Sequence, residues 1–376
     1  MTYYPARAVV DLGAIRSNVE MLSARTDADV MAVVKAEGYG HGMVQAAEAA
    51  VAGGATWLGA AHLDDALQLR DAGFELPILT WVYAPGAPLE QVLIRDIDVS
   101  VPAVWALNEV VAAAEATRMV ARIHVKVDTG MGRNGAAATD LPELFEAVAE
   151  AQGRGRVEVV GLWSHMACAD SPGSRENARQ IANFKAASDL AAEYGIDPEV
   201  RHLANSAAAL LLDDAHFDLV RPGLAIYGLN PAPNVASNAE FGLQPAMRLE
   251  ANISLVKDVP AGQGVSYDLT YRTDDESRLA VIPLGYGDGI PRHISNRGQV
   301  LAGTELAPIA GRICMDQFVV DVGRDNAARA GDVAVLFGSG EGGEPTAQEW
   351  AQATGTISYE IVTRISPRIP RVYLPF

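Results

Sequence analysis

At 376 residues the chain is longer than one ordinary hydrophobic core, so two domains are expected. About half of it is apolar, yet no apolar run approaches the ~20 residues that a helix needs to span a bilayer, which argues against a membrane protein. A formal charge of −18 repels a phosphate backbone and speaks against nucleic acid as a partner, and the two cysteines, Cys168 and Cys314, give no disulfide framework.

The opening residues MTYYPARAVVDLGAIRSN carry polar and charged groups where a secretion signal would be apolar, so a cytoplasmic location is expected. VMAVVKAEGYGHG, Val30 to Gly42, follows. Val30–Val34 is an unbroken apolar run, rich in β-branched residues and too short for a helix, and it reads as a buried strand. Lys35 ends that strand, and Gly38, Gly40 and Gly42 break the chain into a tight turn. An amine at the mouth of an apolar strand loses solvation, which lowers its pKa toward the free base. A free amine forms a Schiff base with an aldehyde, and pyridoxal phosphate is the commonest aldehyde cofactor. A lysine there can equally bury its stem and lift its charge to water.

From about residue 28 to 228 short apolar runs alternate with helical patterns. The predicted strands are Val30–Val34, Thr56–Ala60, Pro77–Trp81, Ile97–Val101, Arg122–Val127, Val157–Trp163, Val200–Leu203 and Phe217–Val220. Between them lie segments of helical spacing such as Val104–Thr117, Asp140–Gln152 and Arg175–Tyr194. This alternation predicts a parallel (β/α)8 barrel, with a doubly wound open sheet as the alternative. Asn230–Gly242, rich in Pro, Asn, Ala and Gly, reads as a linker. Beyond it come short runs at Arg248–Val256, Arg278–Pro283, Glu305–Ile309, Gln317–Val322 and Val333–Phe337, with one helical pattern near Thr346–Ala353. The expected division is therefore a barrel over residues 1–236 and a mainly β domain over 237–376.

A barrel places functional groups just after strand C-termini. Lys35 follows the first strand. Arg133 lies after the fifth, within KVDTGMGRNG (Lys126 to Gly135), and His165 follows the sixth in WSHMACAD (Trp163 to Asp170). Asn205 and Ser206 follow the seventh, and Arg221 the eighth in VRPGLAIYG. Each of these suits pyridoxal phosphate. Ser206 and the backbone amides of Gly223 and Leu224 could hold a phosphate, and Arg221 could donate to the pyridine nitrogen. Arginine keeps its protons, so that nitrogen would stay unprotonated and the ring would be a weak electron sink, favouring return of a proton over transamination. His165 could pack on the ring or be a structural histidine; Arg133 offers a fork for a carboxylate or an ordinary loop salt bridge. The tyrosines of GVSYDLTY (Gly264 to Tyr271) and PLGYGDG (Pro283 to Gly289) read by themselves as core or edge aromatics. GSGEGG, Gly338 to Gly343, fits a dinucleotide fingerprint, but Glu341 and Glu344 would repel a pyrophosphate. No HExxH, Walker A or paired-cysteine spacing occurs, so no metal site is indicated.

AVVKAEGYGHG, DTGMGRNG, WSHMACAD, ANS (Ala204–Ser206), VRPGLAIYG, GVSYD, GYGDG, GRICMDQ and SYEIVTRI together resemble the alanine racemases, a pyridoxal-phosphate family, in identity, order and spacing over nearly the whole chain. The resemblance implies an N-terminal barrel, a C-terminal β domain and a head-to-tail homodimer whose active sites combine both chains. It makes Lys35 the Schiff-base lysine and one of two catalytic bases, with the partner subunit's Tyr267 as the other. It assigns the phosphate to Tyr39, Ser206, Gly223, Leu224 and Tyr359, the pyridine nitrogen to Arg221, ring packing to His165, and the substrate carboxylate to Arg133 and the Met315 backbone. Tyr286 matches an entrance-gate tyrosine, and Lys126 a position carbamylated in some members, where it would brace Arg133. Glu37 stands where Asn or Asp is usual, Gly287 where Ala is usual and Met166 where an aromatic is frequent. The implied activity is interconversion of L- and D-alanine for peptidoglycan precursors, Lys35 serving the D-isomer and Tyr267 the L-isomer, with the His165–Arg221 pair making Tyr267 acidic enough to act. The alternatives are racemisation of serine or a basic amino acid, a decarboxylase, against which Arg221 argues, and a non-catalytic cofactor carrier.

Overall fold

The computed structural model describes residues 4–376. Strand β1 (Ala6–Asp11) comes first, then β2 (Asp29–Val33), β3 (Trp57–His62), β4 (Ile78–Val82), β5 (Asp98–Val101), β6 (Ala121–Lys126), β7 (Val157–Trp163), β8 (Val200–His202) and β9 (Leu219–Val220). β2 to β8 pair in parallel, each with the next, and β9 lies beside β2. Asp218 N–H donates to Arg201 O at 3.0 Å and Arg221 N–H to Ala204 O at 2.9 Å, which brings β8 and β9 together and nearly closes the ring. The strand order has no reversal, so the barrel holds and the open sheet does not. The outer helices form where the apolar spacing predicts. In Val104–Thr117, Ala106, Leu107, Val110, Ala113 and Ala114 make one buried stripe, at the spacing of a helix face.

The remaining strands are β10 (Met247–Asn252), β11 (Leu255–Val259), β12 (Gly264–Val265), β13 (Tyr271–Arg272), β14 (Ser277–Ile282), β15 (Gln299–Ala302), β16 (Glu305–Pro308), β17 (Phe318–Asp321), β18 (Val333–Phe337) and β19 (Arg371–Leu374). They build a six-stranded sheet in the order β16-β15-β18-β10-β1-β19, a three-stranded sheet β11-β14-β17 and the pair β12-β13. One continuous apolar core joins this sheet to the barrel helices, with Val10 and Leu249 in the same cluster as Ile15 and Leu22. Among the described residues no helix is long and apolar enough to cross a membrane.

Several local expectations are corrected. β1 lies within the sequence assigned to the barrel, yet it pairs antiparallel with β10 (Ala6 opposite Ala251) and parallel with β19 (Ala8 opposite Arg371). The predicted run Arg248–Val256 is two strands, because the chain leaves one sheet for another at Ile253–Ser254. Besides the expected helix at Ala347–Thr354, a second occupies Ser358–Thr363, too short to show periodicity. GSGEGG follows a strand paired antiparallel on both sides, with β10 and β15. Its glycines wrap the Glu344 carboxylate, which accepts from Gly340 N–H at 3.1 Å; a Cβ on Gly338 or Gly342 would fall 2.6 or 2.7 Å from its oxygens. The loop is filled by its own acid, leaving no room for a pyrophosphate.

Candidate active site

Lys35 stands just past β2, at the C-terminal mouth of the barrel. The next four residues, Ala36, Glu37, Gly38 and Tyr39, have φ of 53, 56, 58 and 53°, a left-handed turn. Such a turn costs each residue bearing a side chain about 1–2 kcal/mol. Gly38 N–H to Val34 O (2.9 Å) and Gly40 N–H to Ala36 O (3.0 Å) hold it. The reversal lays the Tyr39 ring 4.9 Å from that of Tyr227 and 6.1 Å from that of Tyr359, centroid to centroid. Lys35 Nζ lies 5.9 Å from the Trp81 ring. Burial first, then the Arg133 and Arg221 charges, hold this amine below the ordinary lysine value.

Lys35 opens on a cavity of about 290 Å³. Of the residues singled out in the sequence, Tyr39, Arg133, His165, Ser206 and Arg221 line it, as do Gly223, Leu224, Tyr359 and Lys126. At one end Asn205 caps the short helix Ser206–Leu211, and Ser206 Oγ accepts from Gly223 N–H at 2.9 Å and Ala225 N–H at 3.2 Å. Gly223 lies so close to Tyr39 that an added Cβ would come 2.4 Å from the phenol oxygen. The Tyr39 and Tyr359 hydroxyls donate to no protein acceptor among the described residues. Burial raises both phenols, Tyr359 to about 12, so both keep their protons to donate. Hydroxyls without partners, gathered round a backbone cradle that a single methyl would fill, suit a phosphate.

Arg221 sits at the other end, 4% exposed. Its Nη2 donates to Ser164 O at 2.6 Å and Leu203 O at 3.3 Å, and lies 3.3 Å from His165 Nδ1; its Nη1 lies 3.1 Å from His202 Nδ1. A guanidinium only donates, so His165 must accept at Nδ1. Burial, then the surrounding Arg221, Arg133 and lysine charges, keep His165 well below its usual pKa. The expected His165–Arg221 pair therefore carries its positive charge on Arg221 alone.

Sequence reasoning missed the aromatic floor. Trp81 and Trp163 also line the cavity, and Lys126 Nζ lies 3.9 Å from the centre of the Trp163 ring. Burial and the Arg221, Arg133 and Lys35 charges push Lys126 down to about 7. The signal was present: both tryptophans end or nearly end a strand, where an inward side chain meets the mouth of the barrel.

Tyr267 and Met315 do not line this cavity. They are 69% and 55% exposed on the β domain. Tyr267 follows Ser266, whose Oγ donates to Arg312 O at 2.6 Å, and Arg312 pairs with Asp268. Tyr286 N–H bonds Cys314 O at 3.0 Å and Gly287 N–H bonds Met315 O at 2.9 Å. These bonds gather Tyr267, Tyr286 and Met315 on one exposed patch. A methyl on Gly287 would lie 2.9 Å from Arg368 Nη2, so alanine there would displace that arginine.

Residues 10–231 match the family model "Alanine racemase, N-terminal domain", and residues 246–373 match "Alanine racemase, C-terminal domain". An alanine racemase of Beutenbergia cavernae is 56% identical over 99% of this chain and 98% of its own length. That of Frankia casuarinae is 54% identical over 98% of this chain and 96% of its own. The crystal structure of the alanine racemase from D-cycloserine-producing Streptomyces lavendulae superposes with a TM-score of 0.98 at 52% identity, covering 100% of this chain and 98% of that one.

Proposed function

This chain belongs to the alanine racemase family, and from that premise we propose that it interconverts L- and D-alanine by a two-base mechanism, with pyridoxal phosphate in the barrel-mouth cavity and two chains sharing each site. The observation that carries this reading is the convergence of Lys35, the hydroxyl and backbone donors around Gly223, and buried Arg221 on one cavity. When bound, the cofactor supplies a conjugated ring that stabilises the electron pair left when Cα loses its proton.

Lys35 would hold the cofactor covalently; its lowered pKa supplies the free amine this needs, and once displaced by substrate the same amine would move the Cα proton of the D-isomer. Ser206, Tyr39, Tyr359 and the Gly223–Leu224 backbone would bind the phosphate. Arg221, a donor only, would leave the ring nitrogen unprotonated and the ring a weak sink, so a proton returns to Cα before side reactions occur. His165, neutral, would pack against the ring. Arg133 and the Met315 backbone would take the substrate carboxylate. The partner subunit's Tyr267 would serve the L-isomer, and its exposure on a single chain fits a residue lent across an interface. The D-alanine formed would feed peptidoglycan synthesis in the cytoplasm.

Incubating the full-length chain and cofactor with L-alanine in deuterated water tests this: chirality should be lost and deuterium should enter Cα together. Release of carbon dioxide, or cofactor binding without α-proton exchange, would refute it. Borohydride followed by peptide mapping should label Lys35.

A further inference from the structure

Behind the cavity a line of polar side chains crosses the barrel interior, and the proposed chemistry does not use it. Arg221 Nη1 lies 3.1 Å from His202 Nδ1, His202 Nε2 lies 2.8 Å from His124 Nδ1, and His124 Nε2 lies 3.1 Å from Asp98 Oδ2. The two histidines are 0% exposed and Asp98 is 1%. Arg122 Nε donates to Asp98 Oδ1 at 2.9 Å from the barrel's opposite rim. The line runs from just after β9 through the end of β8 and the middle of β6 to the first residue of β5.

Its direction is forced from both ends. Arg221 can only donate, so His202 accepts at Nδ1 and carries its proton on Nε2. That proton goes to His124 Nδ1, so His124 carries its own on Nε2 and gives it to a carboxylate that can only accept. With both imidazoles neutral, no other tautomer pair makes all three bonds. The barrel is shaped around this line. A Cβ on Gly161 of β7 would fall 2.1 Å from His124 Nδ1, and the β6–β7 register shifts between Ile123 and His124. The Trp163 ring stacks on His202 at 5.4 Å with the planes 7° apart.

Among the described residues the Arg221 guanidinium touches no carboxylate; its acceptors there are the His165 and His202 rings and the Ser164 and Leu203 carbonyls. The negative charge its hydrogen bonds lead to is Asp98, two imidazoles away. We propose that Asp98 and His124 are positioning residues for Arg221: acting through His202, they fix which guanidinium hydrogens are held inside the barrel and so leave the others available to the ring nitrogen. This rests on the reading of Arg221 as the partner of that nitrogen.

The test uses the full-length chain labelled with 15N at histidine, with and without pyridoxal phosphate. In the wild type, NMR should find His202 and His124 neutral with the proton on Nε2. In Asp98→Asn the amide can donate as well as accept, so the single-tautomer signature of His124, which faces it, should be lost. The absorption maximum of the loaded enzyme should also shift, and kcat should fall about tenfold, the size of one hydrogen bond to a charged group. KM for L-alanine should change less than about twofold, as expected when ground-state binding is untouched. Where Asp98→Asn does not fold, Asp98→Leu combined with His124→Phe, which removes both polar groups together, should give the same spectral shift. A wild-type His202 with its proton on Nδ1 overturns the proposal, as does either folded variant with the wild-type spectrum and kcat. The tautomer is read without cofactor or substrate. Absent racemisation with the expected tautomers therefore counts against the proposed activity alone, and the wrong tautomer in an active enzyme counts against the relay alone.

Discussion

Lys126 keeps its charge poorly. Burial and neighbouring cations push it down to about 7, whereas in the unfolded chain it holds its proton to the ordinary lysine value of 10.5. Between those values the unfolded state binds more protons, so this group makes stability rise as pH goes from about 7 toward 10, with its full cost present below 7. Lys126→Met removes the dependence: in urea melts, the stability of wild type minus that of the variant should grow from pH 6.5 to pH 9. A constant difference would refute the assignment. Gly223→Ala places a methyl against the Tyr39 hydroxyl and should weaken pyridoxal-phosphate binding by about tenfold or more, or 1.4 kcal/mol. A fluorescence titration checks this, and wild-type affinity would show that the cradle is not the phosphate seat. Lys35, Ser206 and Arg221 were legible in the sequence because a barrel turns position after a strand into position at a mouth. His202, His124 and Asp98 were not. They meet across the barrel lumen from strands 26 and 78 residues apart, and strand periodicity does not say which inward side chains touch.

Among the elements, the left-handed turn after β2 is the strained one, and it accounts for a local oddity. Glu37 has φ 56°, a conformation that Asn and Asp tolerate better than a longer side chain does. In return its carboxylate weakly accepts from Met43 N–H at 3.4 Å, at the start of helix Met43–Ala52. Glu37→Asn should therefore raise unfolding free energy by about 0.5–1 kcal/mol, measured by urea denaturation. A loss of stability would mean that the helix contact outweighs the backbone. Helices were the easiest elements to read: Val104–Thr117 matches to the residue, because one long apolar stripe marks both ends. β1, β15 and β19 escaped notice because each is four to six residues long and its pattern has meaning only beside a distant partner.

For the whole molecule, the proposed sharing of each site between the Lys35 cavity of one chain and the exposed Tyr267 patch of another can be tested by complementation. Lys35→Ala and Tyr267→Phe should each be nearly inactive from L-alanine, with Tyr267→Phe losing turnover far more than cofactor binding. Mixed after subunit exchange, they should recover about a quarter of wild-type activity, since half the dimers are hybrid and each hybrid holds one intact site of two. No recovery despite demonstrated exchange would place both residues in one chain's site. β1 and β19 lie side by side in one sheet, so an early strand has its neighbour far later in the chain, Ala8 lying opposite Arg371. Until β19 is made, the nascent chain carries an unsealed edge, and a version cut short before residue 371 should be selectively prone to stick to its own kind.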